Sequence, residues 1–130
     1  MTFDWSEYLT LARQLAGETS AVPTGESRQR GAISRAYFAA YCRARNYLRD
    51  REGLAIPQRD PHVFVRREFS HRSVPGYGPL GADLQRLHLD RNKADYDDVV
   101  PELVRMVEAN LLRSARVLAA LDAAETGSSA

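Results

Sequence analysis

Residues 91–96 hold side chains whose types and spacing could do chemistry. Arg91 and Asn92 are adjacent, and a guanidinium beside a carboxamide could bind and orient a phosphate group. Arg91 also precedes Asp95 by four residues, a spacing at which opposite charges pair along one helix face. Asn92 could equally satisfy a buried helix end. The sequence therefore leaves a ligand-binding role and a purely structural role open for both residues.

Proton transfer beside this pair would need another titratable side chain. His88 lies one helical turn before Arg91 and faces a similar direction. Tyr96 lies beyond the pair, but an unperturbed tyrosine has a pKa of about 10 and transfers protons poorly at neutral pH. The commoner role of such a tyrosine is half-buried packing, and a lone histidine is more often at the surface or at an interface. Both residues remain candidates beside these structural interpretations.

A second group of polar residues stands on the long helix predicted over residues 26–50. At about 100° per residue, one stripe of this helix is polar at its start and aromatic or apolar further on. Polar groups on an inward stripe must find partners or line a cleft that admits water. The pattern favours a cleft facing Arg91, whereas the alternative is an ion pair between Glu26 and Arg30 worth about 0.3–0.5 kcal/mol. The candidate binding residues are Glu26, Arg30, Ser34, Tyr37 and Asp95.

The charged residues are distributed unevenly. From Arg28 to Arg72 the chain has eleven arginines and four acidic residues, whereas the remainder has seven basic and thirteen acidic residues. A protein with one basic and one acidic face could attract a polyanion or an oppositely charged partner. His62 and His71 flank a short basic helix in this segment and could contact the same polyanion. The alternative is that these arginines are simply solvated on exposed helix faces.

Apolar residues recur with helical periodicity along most of the chain, and no segment has a strand pattern. Turn-forming residues separate the periodic segments, most densely over 73–81, where three glycines and two prolines predict a mobile loop. Residues 17–25 are also predicted to be a loop, and residues 95–98 an acidic turn. The predicted helices cover approximately residues 4–16, 26–50, 61–72 and 80–94, and a last helix follows the acidic turn and ends at about residue 124.

The last predicted helix carries the longest apolar stripe. Asp97 or Asp98 could cap this helix, and its first turn would contain Pro101. A sustained stripe of this kind is typical of a face packed in the core. Its members are Val100, Leu103, Val104, Val107, Leu111, Ala115, Leu118 and Leu121. We therefore expect an all-α, antiparallel four- to five-helix bundle in one domain over residues 1–124, followed by a disordered tail over 125–130.

Composition narrows the class of protein. A chain of 130 residues matches one domain with its own core, and the single cysteine, Cys42, excludes an internal disulfide. No Cys/His cluster has metal-ligand spacing and no glycine-rich phosphate loop is present, so we expect neither a metal nor a cofactor. The first residues lack the basic and apolar regions of a signal peptide, and no apolar run approaches about 18 residues. The expected location is the cytoplasm, without membrane contact.

Two stretches together are similar to a known family. Residues 26–41, ESRQRGAISRAYFAAY, open the long second helix, and residues 91–96, RNKADY, end the penultimate helical segment. The pair resembles small prokaryotic HEPN (higher eukaryotes and prokaryotes nucleotide-binding) proteins over residues 5–121. The resemblance implies a four- or five-helix bundle that often dimerises. It also implies either a metal-independent ribonuclease, frequently a toxin paired with a nucleotidyltransferase-type antitoxin, or a non-catalytic partner or RNA-binding module.

The nuclease members of this family use an arginine followed by a polar residue, and a histidine separated from that arginine by four to six residues. In these proteins the arginine neutralises the scissile phosphate, and the histidine moves a proton as the 2′-hydroxyl attacks. Arg91 and Asn92 match the first two positions, but residues 96–98, Tyr-Asp-Asp, stand where the histidine would be. By this resemblance Arg91 would bind the phosphate, Asn92 would orient it, and Tyr96 or His88 would have to transfer the proton.

The leading hypothesis is a HEPN-like homodimer that binds or cleaves RNA or a nucleotide in a toxin–antitoxin or defence setting. A dimer would place two copies of Arg91 and Asn92 together as one composite site, and a monomer at micromolar concentration would contradict that site. One alternative, favoured by the missing histidine, is a non-catalytic helical adaptor that binds a partner such as a nucleotidyltransferase. Another is RNA binding by the arginines without cleavage, which would weaken steeply as salt rises.

Overall fold

The computed structural model describes residues 3–18 and 24–127, which form five α-helices and no strand. In the centre of the bundle α2, α4 and α5 pack on one another, while α3 packs mainly on α4 and α1 packs on α2. The predicted all-α helical bundle is therefore confirmed. Residues 19–23 of the predicted first loop lie outside the described residues. The helices are α1 (Glu7–Leu15), α2 (Gly25–Asp50), α3 (Pro61–His71), α4 (Tyr77–Tyr96) and α5 (Leu103–Gly127).

The direction of α4 is opposite to that of α2. Ser34 near the start of α2 donates a hydrogen bond to Asp95 at the end of α4 (3.3 Å), and Tyr77 at the start of α4 reaches Tyr47 near the end of α2 (2.9 Å). The helices α2 and α5 run in the same direction, so the antiparallel arrangement does not extend to this pair. The contacts that set this direction join Ser114 to Ala36 and Asp122 to Arg43.

The helix α2 forms close to where the sequence predicts it. Thr24 is its N-cap and accepts a hydrogen bond from the Ser27 backbone amide at 3.2 Å. Glu26 lies in the first turn, where a negative charge complements the helix dipole. The aromatic and apolar half of the predicted stripe is buried, as expected, and comprises Tyr37, Ala40, Tyr41, Ala44 and Leu48.

The helix α4 begins earlier than predicted, inside the stretch interpreted as a mobile loop. Gly76 precedes it with a φ of +88°, a left-handed conformation that glycine adopts without strain. Tyr77 is buried, with its ring edge-on to Phe69 at 5.0 Å and its hydroxyl 2.6 Å from a Glu52 carboxylate oxygen. Pro79 stands in the first turn, where a missing amide costs little. Tertiary packing of Tyr77 thus overrides the weak helix propensity of this segment.

Gly81 of α4 lies close against the backbone of Ser70 in α3, and Gly81→Ala is expected to destabilise the fold. A β-carbon there would lie 2.9 Å from the backbone nitrogen of Ser70 and 3.1 Å from its Cα, so the two helices would have to separate. Overpacking of this kind costs about 1–3 kcal/mol. Gly78→Ala is the matched control in the same helix, because its β-carbon would meet nothing within 4 Å. Urea denaturation should show a lower midpoint for Gly81→Ala only, and equal midpoints would contradict the close approach.

The predicted apolar stripe of the last helix is only partly its buried face. Leu121 is buried as expected, whereas Val104 and Leu111 are 55% and 52% exposed, so the prediction is wrong for these two residues. The other buried positions of α5 are Asn110, Ser114 and Val117. Polar anchors turn this face inward, because Ser114 Oγ donates to the Ala36 carbonyl at 2.8 Å and the Asn110 amide donates to a carboxylate of α4. An apolar strip made of Val104, Leu111 and Leu112 is consequently left on the outside.

The boundaries at the C-terminal end of the chain also differ from prediction. Residues 95 and 96 belong to α4 and not to an acidic turn, while Pro101 and Glu102 lie in the turn before α5. Since α5 continues to Gly127, residues 125–127 of the predicted disordered tail are helical, and residues 128–130 lie outside the described residues. Among the described helices, none is both long and apolar enough to cross a membrane.

Candidate functional site

Three helices bring two tyrosine rings and two histidine rings into one near-parallel stack. The Tyr41 and His62 rings lie 4.2 Å apart with an interplanar angle of 23°. The His62 and His88 rings lie 5.2 Å apart at 14°, and the Tyr37 and His88 rings 5.3 Å apart at 17°. We call these four residues the ring stack. It joins a pair of imidazoles that are 26 positions apart in the sequence.

Three helices place the four members of the ring stack. Tyr37 and Tyr41 are one turn apart on the buried face of α2, so their side chains point the same way. His62 is the second residue of α3, directly after Pro61 fixes the start of that helix. The Tyr37 hydroxyl forms a hydrogen bond with Nδ1 of His62. His88 completes the stack from the middle of α4.

Both imidazoles are half-buried, and their environment favours the neutral form. Burial lowers the pKa of His62, and the nearby Arg91 guanidinium lowers it further. Burial is also the main cause that lowers the pKa of His88, followed by the charges of His62, Arg91 and Arg66. Both rings are therefore predominantly neutral at pH 7 and remain so at a lower pH than an ordinary histidine. A neutral imidazole can accept a proton, as a general base must.

Arg91 lies beside this stack on α4. Its guanidinium carbon is 5.0 Å from the centre of the Phe38 ring, and its Nη1 donates to the Asn92 side-chain oxygen at 3.2 Å. The ion pair that the spacing predicts is present, since Nε lies 2.8 Å from Asp95 Oδ2. The two groups are not aligned for a hydrogen bond, so Nε is a buried donor without a partner among the described residues. The Asn92 side chain therefore accepts a hydrogen bond from Arg91, and it caps no helix end within residues 3–18 and 24–127.

Asp95 is held by side chains from three helices. The Tyr8 hydroxyl of α1 donates to Oδ1 at 3.1 Å, and Ser34 of α2 donates to Oδ2 at 3.3 Å, while Arg91 supplies the opposite charge. Burial and the Asp95 carboxylate raise the pKa of Tyr8, which keeps the donating phenol protonated. A cleft of about 230 Å³ opens here between α1 and α2. Ser34, Arg35 and Asp95 line this cleft, but Glu26 and Arg30 do not.

Arg30 occupies a different place from the cleft wall that the stripe pattern favours. Its side chain is fully buried, with Nη1 bonded to the carbonyls of Ala94 (2.9 Å) and Asp97 (2.7 Å) and Nη2 bonded to that of Asp98 (3.2 Å). Its Nε pairs with Glu26 at 3.0 Å, the ion pair named as the alternative. Arg30 therefore holds carbonyl groups at the end of α4, where helices leave such acceptors without partners.

Tyr96 and His71 stand apart from the ring stack. Tyr96 is 69% exposed, so the expected half-buried packing is not observed. Its ring centre is 5.8 Å from the Arg91 guanidinium carbon, at the solvent side of that residue. His71 is exposed at the end of α3. Cys42 is half-buried against the core.

The approach of His62 to His88 is the feature of this site that sequence reasoning did not identify. Each histidine was named by itself, but no spacing rule links residues on two different helices. Within residues 3–18 and 24–127, no group of three or more His, Cys, Asp or Glu side chains is arranged to hold a metal ion.

Comparison of the chain with protein-family models, with curated proteins and with solved structures gave no significant match in any of the three searches.

Proposed function

We propose that this protein binds RNA and cleaves it without a metal ion, as a HEPN-like protein of a toxin–antitoxin or defence system. The observation that carries the proposal is the pair of imidazoles 5.2 Å apart with Arg91 beside them. A proton acceptor, a proton donor and a phosphate-binding cation are the parts that RNA cleavage by its own 2′-hydroxyl requires. The family resemblance of residues 26–41 and 91–96 supports the same substrate class.

In the proposed reaction two protons are transferred, one phosphorus–oxygen bond forms and another breaks. One neutral imidazole takes the proton of the 2′-hydroxyl, and the 2′-oxygen then bonds to phosphorus. The bond from phosphorus to the 5′-oxygen breaks, and the second imidazole, in its protonated form, gives a proton to that oxygen. The products are a 2′,3′-cyclic phosphate and a 5′-hydroxyl. Arg91 offsets the charge that grows on the phosphate oxygens.

Substrate binding would adjust the protonation of the site. Arg91 lowers the pKa of both His62 and His88, and Arg66 also lowers that of His88. A bound phosphate places a negative charge among these cations and opposes their effect, so one imidazole can acquire the proton that a general acid needs. In this proposal His88, one turn before Arg91, serves the purpose of the histidine that the family places after its arginine.

His88→Gln is the direct test of the proposed reaction. With a labelled single-stranded RNA and excess chelator, we expect the wild type to release a 2′,3′-cyclic phosphate end and the variant to be slower by about 10²–10⁴-fold. His71→Gln is the matched control, because His71 is exposed and lies outside the ring stack. Equal rates for His88→Gln and wild type would place the reaction elsewhere, and absence of cleavage by the wild type would overturn the proposal.

A second candidate function is that of a non-catalytic adaptor, which the outward apolar strip of α5 favours. Val104, Leu111 and Leu112 are between 52% and 64% exposed, and exposed apolar patches often mark association sites. A second copy of this chain, as in the proposed homodimer, or a nucleotidyltransferase-type partner would cover such a strip. The cleavage assay separates the two candidates, since an adaptor leaves RNA intact under conditions in which a control ribonuclease acts.

A further inference from the structure

The Tyr37 hydroxyl is the one group in the ring stack that contacts an imidazole nitrogen directly. Tyr37 is 1% exposed, and its hydroxyl is bonded to Nδ1 of His62. Its ring is stacked with those of Tyr41 (5.7 Å) and His88 (5.3 Å), so the side chain has little freedom to turn away. A substrate could not reach a side chain buried to this degree, and its influence on chemistry must pass through His62.

A bond at Nδ1 determines which nitrogen of His62 can exchange a proton. Burial raises the pKa of Tyr37, so the phenol keeps its proton at all ordinary pH values. A phenol is a stronger acid than a neutral imidazole N–H, and the hydroxyl therefore donates to Nδ1 when the ring is neutral. The ring proton of neutral His62 then resides on Nε2. When the ring is protonated, the hydroxyl oxygen can turn and accept from Nδ1–H instead, which leaves Nε2–H unengaged.

We propose that Tyr37 is a positioning residue that holds Nδ1 of His62 and thereby makes Nε2 of His62 the proton donor of the reaction. This inference rests on the proposed function, and it divides the two histidines into distinct roles. His62 presents an N–H to the leaving 5′-oxygen. His88 stacks on His62 and accepts the proton of the 2′-hydroxyl; burial first, and then the charges of His62, Arg91 and Arg66, lower its pKa and favour its neutral form.

The surroundings of His62 are compatible with this division. Arg91 of α4 is the charged group that acts on its pKa, and His88 is the titratable ring stacked on it from the same helix. From α2, the Tyr41 ring stacks on His62 with their centres 4.2 Å apart, and Tyr37 supplies the hydroxyl. Arg66 lies one turn further along α3 and acts on His88. Among these groups, Tyr37 is the hydrogen-bond partner of the His62 ring.

The first test reads the tautomer of His62 by nitrogen NMR of the full chain at neutral pH, without any substrate. We expect wild-type His62 to carry its proton on Nε2, and Tyr37→Phe to convert it to a mixture in which the Nδ1–H form appears. Tyr41→Phe is the matched control, since it also removes a hydroxyl from a ring stacked on His62 but should leave the tautomer unchanged. An identical tautomer in wild type and Tyr37→Phe would overturn the proposal.

The second test is kinetic and uses the same variants. Tyr37→Phe should reduce kcat by about tenfold to a hundredfold with little change in KM. This loss is smaller than the rate enhancement of about 10²–10⁴-fold that proton transfer itself supplies. The high-pH limb of the rate profile, which reports the acid, should move, while the low-pH limb stays in place. Movement of the low-pH limb alone would assign the roles in reverse and overturn the proposal.

The two tests also distinguish failure of this inference from failure of the proposed function. Suppose that Tyr37→Phe changes the tautomer but the wild type does not cleave RNA. Tyr37 would then still position His62, whereas the ribonuclease proposal and the donor role of His62 would both be wrong. If the wild type cleaves RNA but Tyr37→Phe changes neither the tautomer nor the pH profile, the ribonuclease proposal would stand and the positioning role of Tyr37 would be wrong.

Discussion

Replacing Arg91 with alanine should reduce RNA cleavage by about 10²–10³-fold, the range seen when one preorganised donor to a developing negative charge is removed. The Arg91 side chain is 20% exposed while its Nε lies against Asp95, so a phosphate would meet the exposed part of this side chain. Binding should weaken as well. Because each phosphate contact adds about one to the slope of log affinity against log salt, the slope should fall by about 1 in the variant.

The fold should survive this substitution, which makes the result interpretable. Asp95 would keep the donors Tyr8 and Ser34 after the guanidinium is removed. Circular dichroism and a urea titration of Arg91→Ala would verify this. Arg105→Ala is the control for general loss of positive charge, because that arginine is 83% exposed on α5. A similar loss of cleavage in both variants would show that net charge, and not a site at Arg91, governs the reaction.

Arg30→Met should produce the largest loss of stability among single arginine substitutions. The variant keeps most of the apolar stem but leaves the carbonyls of Ala94, Asp97 and Asp98 without their donors. Breaking a buried charged network by removing one partner costs about 3–5 kcal/mol. The loss of contact with the Phe3 ring, 4.3 Å from the guanidinium carbon, adds to this cost. For a domain of this size, Tm should fall by roughly 10–20 °C.

Arg28→Met is the matched control for this prediction. Arg28 belongs to the same helix but is exposed, whereas Arg30 is buried, so Arg28→Met should change Tm only slightly. Thermal unfolding and urea titration of both variants would measure the difference. An Arg30→Met protein as stable as wild type but weaker in RNA binding would instead assign Arg30 to a ligand, as the polar stripe of α2 first suggested.

Arg30 and Arg91 have similar neighbours in the sequence but different surroundings in the fold. Both arginines have an acidic residue four positions away, and both of these ion pairs form. Arg30 directs its remaining donors to three backbone carbonyls and closes the end of α4. Arg91 directs Nη1 to the Asn92 side chain and lays its guanidinium over the Phe38 ring. Arg30 is therefore part of the scaffold, whereas Arg91 keeps a partly exposed side chain.

The sequence by itself determined the features that depend on neighbours within one helix. The buried stripe from Tyr37 to Leu48 follows from spacing along α2, because a helix fixes the relative positions of residues three and four apart. The ion pair between Arg91 and Asp95 follows from the same rule. The helical class of the fold, and the expectation that Arg91 belongs to a site, could therefore be obtained without coordinates.

The tertiary structure decided which helix faces meet. The early start of α4 depends on a pocket for Tyr77 made by Glu52 and Phe69, and the inward face of α5 depends on polar anchors at Asn110 and Ser114. The contact of His62 with His88 likewise depends on how α3 crosses α4. Periodicity describes each helix separately, whereas these contacts depend on the positions and rotations of whole helices relative to one another. That is why the sequence named each histidine alone and only the fold placed them together.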